Sequence, residues 1–321
     1  MRRDGLVNPE TFLYDSVPIS QMIFAVKNLS LAYYFTGRED YCEGAMRFID
    51  AWFLNEDTRM NPNSGLEYAQ LRRGLDKGRG VGIIDAKDLA FVPDSAVLLD
   101  GCGAWSSGTQ KAALANWLKD YVVWLASSSH ATDEFSMVNN HGTWFDVQAL
   151  SLSLHVGNTS WSKFLANHSM TRIQAQVAAN GTLPLELART RSMHYTWWDM
   201  IAFFELAQLT KLLNIDLFHY VTPAHQSLKQ ALDWIAPWTL EGAKPWPYPE
   251  VSPFDHGKFF QIFRMASIYY DEDTYETMIT KLPGNVDYTT NHLNLVWPKR
   301  AAMQDASLKL KSGADVTTTT D

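Results

Sequence analysis

The stretch VNNHGTWFDVQALSLSLHV, residues 138–156, places polar side chains where an apolar helix begins. Asn140 and His141 come first, and Trp144, Phe145 and Leu150 follow at helical spacing. An amide and an imidazole at this position have two interpretations. They form either a helix N-cap followed by a core histidine, or part of a functional site. The rest of the sequence is needed to distinguish these two interpretations.

Helical periodicity extends along most of the sequence, and the alternation typical of strands is almost absent. The predicted helical segments are residues 19–37, 39–55, 109–129, 141–158, 159–181, 197–214, 224–238 and 259–270. Repeated helical hairpins of this length predict an all-α fold, an (α/α) toroid in the form of an incomplete barrel. We predict one toroid domain over residues 1–310 and a disordered tail over residues 311–321.

Two irregular stretches interrupt the helical pattern. Residues 55–85 form a long polar segment, and residues 236–257 contain five of the 13 prolines of the chain. Long loops on a rigid scaffold often carry function. We therefore expect residues 55–85 to form a lid or a cleft wall.

Composition limits the partners of the chain. Its formal net charge of -8 makes nucleic acid an unfavourable partner, but an acidic polymer fits if the cations are gathered locally. An aromatic content of 13 % suits either a groove that stacks on sugar rings or the packing of bulky helices. No apolar run approaches the roughly 18 residues needed for a membrane span. We expect a monomer with no membrane partner.

Cysteines and glycosylation motifs bear on the cellular location. Cys42 and Cys102 form one disulfide or none, and their spacing does not decide which. The N-x-S/T motif occurs four times, which favours a secreted glycoprotein, although the first ten residues lack the apolar segment of a signal peptide. These motifs begin at Asn28, Asn158, Asn167 and Asn180.

A second polar cluster precedes another apolar helix, in ELARTRSMHYTWWDM, residues 186–200. It contains Arg189, Arg191, His194 and Tyr195. Taken alone, this stretch is also compatible with a basic helix start and a packed tyrosine. If the two apolar helices are neighbours in a toroid, both polar clusters lie at one rim.

An amide, an imidazole, a guanidinium and a phenol together fit β-elimination from a uronic acid without a metal or other cofactor. The C5 proton of a uronate is poorly acidic because the adjacent carboxylate is already negative. Asn, His and Arg donors offset the charge that develops as the enolate-like intermediate forms. A phenol whose pKa is lowered by nearby cations removes the proton and then protonates the departing O4.

These stretches resemble a known family. NNHGTWFDVQ, residues 139–148, followed by ELARTRSMHY, residues 186–195, resembles the alginate lyase superfamily of helical-toroid polysaccharide lyases. The upstream TRMNPNSGLEYAQ, residues 58–70, with GRGVGIID, residues 78–85, resembles the branch that includes polysaccharide lyase family 38. That branch is associated with alginate and glucuronan. The resemblance extends over residues 5–300.

The resemblance implies roles for individual residues. Asn140 and His141 contact the substrate carboxylate or share the proton transfer. Arg189 matches the arginine of the family, and Tyr195 matches its catalytic tyrosine. Because the spacing between arginine and tyrosine is one residue shorter here than in better-known alginate lyases, Arg191 remains the alternative.

Several further residues are candidates for substrate binding, and each also has an ordinary structural interpretation. Tyr68 and Gln70 would bind sugar hydroxyls, as the resemblance suggests. Aromatic stacking on sugars is the role considered for Trp144 and Trp197, and His194 is a candidate because it adjoins Tyr195.

The geometry of the uronate sets an expected preference. In β-mannuronate and β-glucuronate, the C5 hydrogen and O4 lie on the same ring face, so one residue can serve as base and then as acid. Guluronate requires groups on both faces. With Tyr195 as the base and His141 as the second candidate, we expect a preference for mannuronate or glucuronate linkages.

Two other functions remain open at the level of sequence. A glycoside hydrolase on the same type of scaffold needs two carboxylates flanking the bond, and Glu186 and Asp199 are the pair to consider. A carbohydrate-binding toroid without activity is the other alternative. Four residues present together argue against it: Asn140, His141, Arg189 and Tyr195.

Overall fold

A computed structural model describes residues 4–5, 16–62, 78–284 and 287–299 of the chain. Within these residues there is no strand, and one isolated antiparallel bridge joins Arg191 to Glu250. The α-helices in chain order are α1 (Ser16–Thr36), α2 (Glu39–Ile49), α3 (Val92–Leu98), α4 (Gly103–Ser107), α5 (Gln110–Ser127), α6 (Ser129–Phe135), α7 (Asn140–His155), α8 (Thr159–Gln176), α9 (Pro184–Leu187), α10 (Ser192–Lys211), α11 (Leu228–Ile235), α12 (Phe259–Tyr269), α13 (Asp273–Ile279) and α14 (Leu293–Val296). The all-α prediction is confirmed.

Helical turns of the 3-10 and π types connect some of these α-helices. A π-helical turn, Asp50–Leu54, continues α2, and 3-10 helices occupy Gly80–Phe91, Leu99–Gly101, Ala236–Trp238, His256–Lys258 and Tyr288–Thr290. Each predicted helical segment overlaps an observed helix. The helices that the sequence did not predict, such as α6 and α13, have seven residues or fewer. Two turns are too short to establish a period of about 3.6 residues.

The structure corrects the prediction that residues 55–85 form one polar loop. From Gly80 onward the chain is a 3-10 helix, with Ile83, Ala86 and Leu89 buried. Their spacing of three residues matches the period of a 3-10 helix, so one apolar face points into the core. Gly80 is needed here because a Cβ atom would collide with the backbone oxygen of His130. The lid predicted for the segment concerns residues 63–77, which lie outside the described residues.

The contacts of the chain define two compact units. One consists of Met1–Gln176 and Glu205–Leu217, and the other consists of Val177–Phe204 and Phe218–Asp321. Helix α10 supplies its first part to the second unit and its last part to the first. The domain boundary predicted at residue 310 and the predicted tail lie outside the described residues.

Helix α7 lies in the core of the first unit, and almost all of its residues are buried, polar ones included. Its buried polar side chains have specific partners. The Tyr121 hydroxyl donates to Gln148 at 2.7 Å, and the Ser151 hydroxyl donates to the Ala90 backbone oxygen at 2.6 Å. Because these groups are paired, a helix without an apolar stripe can be surrounded by other elements at little cost.

A disulfide joins Cys42 of α2 to Cys102, just before α4. This settles the question that the spacing of the two cysteines left open. The bond links positions 60 residues apart, and closing a loop of that length typically stabilises a fold by about 2–4 kcal/mol. Among the described helices, none combines the length and apolar character needed to cross a lipid bilayer.

Candidate active site

His141 is held by a buried carboxylate. The Nδ1 atom of His141 lies 2.7 Å from Oε1 of Glu134, at the end of α6. The His141 side chain is 23 % exposed, whereas Glu134 is fully buried. The imidazole is therefore partly accessible to solvent while a buried carboxylate holds it in place. If Nδ1–H donates to the carboxylate, Nε2 is left as the nitrogen that can exchange a proton. This arrangement is not that of a core histidine.

Asn140 is the first residue of α7, and its side chain is buried. The N-cap position belongs to Asn139, whose side chain makes no capping hydrogen bond. The N-cap interpretation of Asn140 is therefore wrong. A direct contact between the Asn140 amide and a substrate requires the groups that cover it to move.

Arg172 fixes the turn that leads into Asn140 and His141. Its guanidinium, buried on α8, donates to both carboxylate oxygens of Asp146, at 2.8 and 3.1 Å. It also donates to the backbone oxygens of Phe135 at 2.7 Å and Met137 at 2.5 Å. Gly142 is required beside them, since a Cβ atom there would collide with the Met137 oxygen and the guanidinium. The glycine of the NNHG motif thus serves this close approach.

In the second unit, Arg189 and Tyr195 are stacked. The guanidinium carbon of Arg189 lies 3.5 Å from the centroid of the Tyr195 ring. Nη1 of Arg189 also lies 3.9 Å from Oε2 of buried Glu186. Arg189 and Tyr195 are both half-buried, so the pair retains access to solvent. A cation against this ring favours a negatively charged phenolate.

Arg191 has a different partner. Its Nε lies 3.9 Å from Oε1 of Glu250, and the other oxygen of Glu250 accepts from the backbone N–H groups of Met193 at 2.7 Å and His194 at 3.3 Å. Glu250 thus binds the N-terminus of α10, where a negative charge is favourable. These bonds start α10 at Ser192, five residues before the predicted start at residue 197. His194 and Tyr195 therefore lie in the first turn of the helix.

His194 lies between aromatic rings and beside three cations. Its ring centroid is 5.3 Å from that of Tyr195 and 5.8 Å from that of Trp197. Burial, together with the positive charges of Arg191, Lys258 and Arg189, lowers the pKa of His194 to about 4. The imidazole is consequently neutral near pH 7. Any binding role for His194 at that pH is that of a neutral group.

The two tryptophans predicted to stack on sugars differ in their exposure to solvent. Trp144 is only 4 % exposed and belongs to the core of the first unit, so it offers almost no surface to a sugar. We therefore remove Trp144 from the candidate substrate contacts. Trp197 is half-buried and keeps an accessible part of its ring. Tyr68 and Gln70 lie outside the described residues.

The hydrolase alternative has no support in the second unit. Glu186 and Asp199 are both buried, at 1 % and 0 % exposure. A general acid and a general base have to reach the two sides of a glycosidic bond. Neither carboxylate is accessible for that task.

Sequence reasoning missed Glu134 and Glu250. Glu134 lies seven residues before His141, on a helix too short to be predicted, and Glu250 lies 55 residues after Tyr195 in sequence. One signal was available for Glu250: it belongs to the proline-rich segment 236–257, which the sequence marked as irregular. Nothing in the sequence marked Glu134.

Comparisons with known proteins agree with this fold. The family model described as alginate lyase matches residues 1–246. The chain is similar to the crystal structure of an alginate lyase from Bacteroides ovatus, with 28 % identity and a TM-score of 0.86 over 92 % of this chain and 78 % of that one. This similarity confirms the predicted α/α toroid class. No curated protein matches the chain.

More distant similarity extends to alginate lyase A1-III. A histidine-to-alanine variant of that protein, in complex with a tetrasaccharide, has 13 % identity and a TM-score of 0.63, over 86 % of this chain and 74 % of that one. The structure of A1-III from Sphingomonas species A1 has 13 % identity and a TM-score of 0.60, over 85 % and 74 % of the two chains. At this level of identity, the similarity shows the fold alone.

Proposed function

We propose that this chain, which belongs to the alginate lyase family, cleaves 1,4-linked uronate polymers by β-elimination and leaves an unsaturated uronate end. Membership of the family makes the chain a polysaccharide lyase. The substrate we propose is alginate, with a preference for its mannuronate linkages. Glucuronan, which has the same relation between C5–H and O4, is the second polymer to test.

The observation that carries the proposal is the stacking of Arg189 on Tyr195 at 3.5 Å. Tyr195 can remove a proton only as the phenolate, and the guanidinium stabilises that negative charge before the proton is taken. The Tyr195 phenolate takes the C5 proton as the base and becomes a neutral phenol. It then gives a proton to O4 as the C4–O4 bond breaks, so the enzyme returns to its starting protonation state.

We propose that His141 and Asn140 act on the carboxylate side of the reaction. As the C5 proton leaves, negative charge moves onto the carboxylate of the sugar, and donors aimed at it lower the barrier. Glu134 holds Nδ1 of His141 at 2.7 Å, which presents Nε2 in a fixed direction. On guluronate, where the C5 hydrogen lies on the other face, His141 is the group we propose as the base.

We propose a secreted protein, and the disulfide between Cys42 and Cys102 supports this proposal. Disulfides persist in oxidising compartments and are rare in the reducing cytosol.

The deciding experiment is an assay on a panel of polymers. Polymannuronate, polyguluronate and glucuronan are each incubated with the protein, and the ultraviolet absorbance of the C4–C5 double bond is followed. We expect the fastest absorbance rise with polymannuronate. A rise in reducing ends without this absorbance would identify a hydrolase, and binding without either product would identify a carbohydrate-binding protein.

A further inference from the structure

Lys258 lies against two aromatic rings in the second unit. The indole N–H of Trp197 donates to the Lys258 backbone oxygen at 3.1 Å. The ammonium nitrogen of the same lysine lies 4.9 Å from the Trp197 ring centroid and 5.8 Å from that of Phe254. The two rings are 6.0 Å apart and tilted by 53°. Backbone and side chain of Lys258 are thus both placed by Trp197.

The charge of Lys258 is not neutralised by an ion pair with any residue that the structure describes. In the described part of the chain, no carboxylate lies within 4.0 Å of its ammonium group, whereas Arg189 and Arg191 have Glu186 and Glu250 nearby. Lys258 is exposed, and Trp197 and Phe254 are half-buried. The lysine therefore presents a positive charge to solvent beside partly accessible rings.

The position of this group relative to Tyr195 is also defined. His194 lies between them, with ring centroids 5.3 Å from Tyr195 and 5.8 Å from Trp197. The charge of Lys258 reaches His194, whose pKa it helps to lower. The His194 ring thus contacts both Tyr195, the proposed proton carrier, and Trp197, which contacts Lys258. This places Trp197 and Lys258 where a neighbouring sugar could bind.

We propose that Trp197, Phe254 and Lys258 form a subsite for a uronate residue adjacent to the one that is cleaved. The C–H face of the sugar ring packs on the aromatic rings, and its carboxylate binds the ammonium group of Lys258. Every residue of a polyuronate carries both features, and a neutral glycan lacks the second. The proposal rests on the proposed function, because it takes a polyuronate as the ligand.

The test compares Lys258→Met with Lys258→Arg and with a matched control. Met keeps the apolar stem and removes the charge, and Arg keeps the charge. Lys244→Met removes the same charge from another exposed lysine of this unit. Binding of a mannuronate oligosaccharide is measured by calorimetry, at low and at high salt, so that the readout does not depend on turnover.

We expect Lys258→Met to weaken binding about fivefold at low salt, and Lys258→Arg and Lys244→Met to bind within about twofold of wild type. The loss should shrink at high salt because the contact is screened. Equal affinities of the two Met variants, or no binding by wild type, would overturn the subsite. Turnover of the wild type reports separately on the proposed function. Binding that depends on Lys258 in a protein without lyase activity would support the subsite and refute only the reaction.

Discussion

Arg189 and Tyr195 form a cation–π contact within the second unit, with 3.5 Å between the guanidinium carbon and the ring centroid. They are six positions apart in sequence, and the start of α10 lies between them. The contact therefore depends on where α10 begins. That start is set by Glu250, whose carboxylate accepts from the N–H groups of Met193 and His194, the second and third residues of the helix.

Replacing Tyr195 by Phe removes the proposed proton carrier and keeps the ring against Arg189. We expect kcat on polymannuronate to fall by at least about a hundredfold, with thermal unfolding and oligosaccharide binding nearly unchanged. Tyr34→Phe, which removes the hydroxyl of an exposed tyrosine on α1, is the control. If Tyr195→Phe kept more than a small fraction of wild-type kcat, another residue would be the base, and His141 would be the first to test.

Arg189 and Arg191 have different partners, so we expect their substitutions to have different effects. We expect Arg189→Ala to lower kcat by about a hundredfold, because it removes the cation that faces Tyr195. Arg191→Ala removes a partner of Glu250, and we expect less than about a tenfold loss of kcat, since the backbone contacts of Glu250 remain. Steady-state kinetics on one polymer gives the comparison. The reverse order of effects would assign the family's arginine to Arg191.

Glu134 is expected to act through His141. Glu134→Gln retains shape but removes the charge that holds Nδ1 of His141, and we expect kcat to fall at least about tenfold. The same change made in a His141→Gln background should cost little more, because residues that act as a unit are not additive. Thermal unfolding of each variant distinguishes a loss of His141 positioning from a folding defect. A full additional loss in the double variant would mean that Glu134 does not act through His141.

His194 makes the stability of the fold depend on pH. Its pKa is about 4 when folded, whereas an ordinary histidine titrates near 6.5. Between these two values, the unfolded chain binds a proton that the folded protein does not bind. Stability therefore falls as pH is lowered from about 6.5 toward 4. Denaturant unfolding at several pH values measures this slope. We expect His194→Gln to reduce it and His292→Gln, at an exposed histidine, to leave it unchanged.

The long helices could be predicted because each repeats its apolar spacing over several turns, as α1 and α5 do. The start of α10 could not be, because Glu250, which fixes it, lies far away in sequence. Tyr195 and His141 carried a recognisable motif, whereas the residues that orient them did not. Trp144 shows the opposite case. Its aromatic character suggested a sugar contact, but its position on a helix buried on all sides places it in the core.

The disulfide between Cys42 and Cys102 has a consequence for the segment that it encloses. Positions 68 and 70, which carry the predicted sugar contacts Tyr68 and Gln70, lie between the two cysteines in sequence. They are therefore part of a covalent ring. Reduction turns this ring into an open tether whose two ends are held by folding alone. Protein produced in a reducing host and protein oxidised on export would then have identical sequences but a different covalent connection between positions 42 and 102.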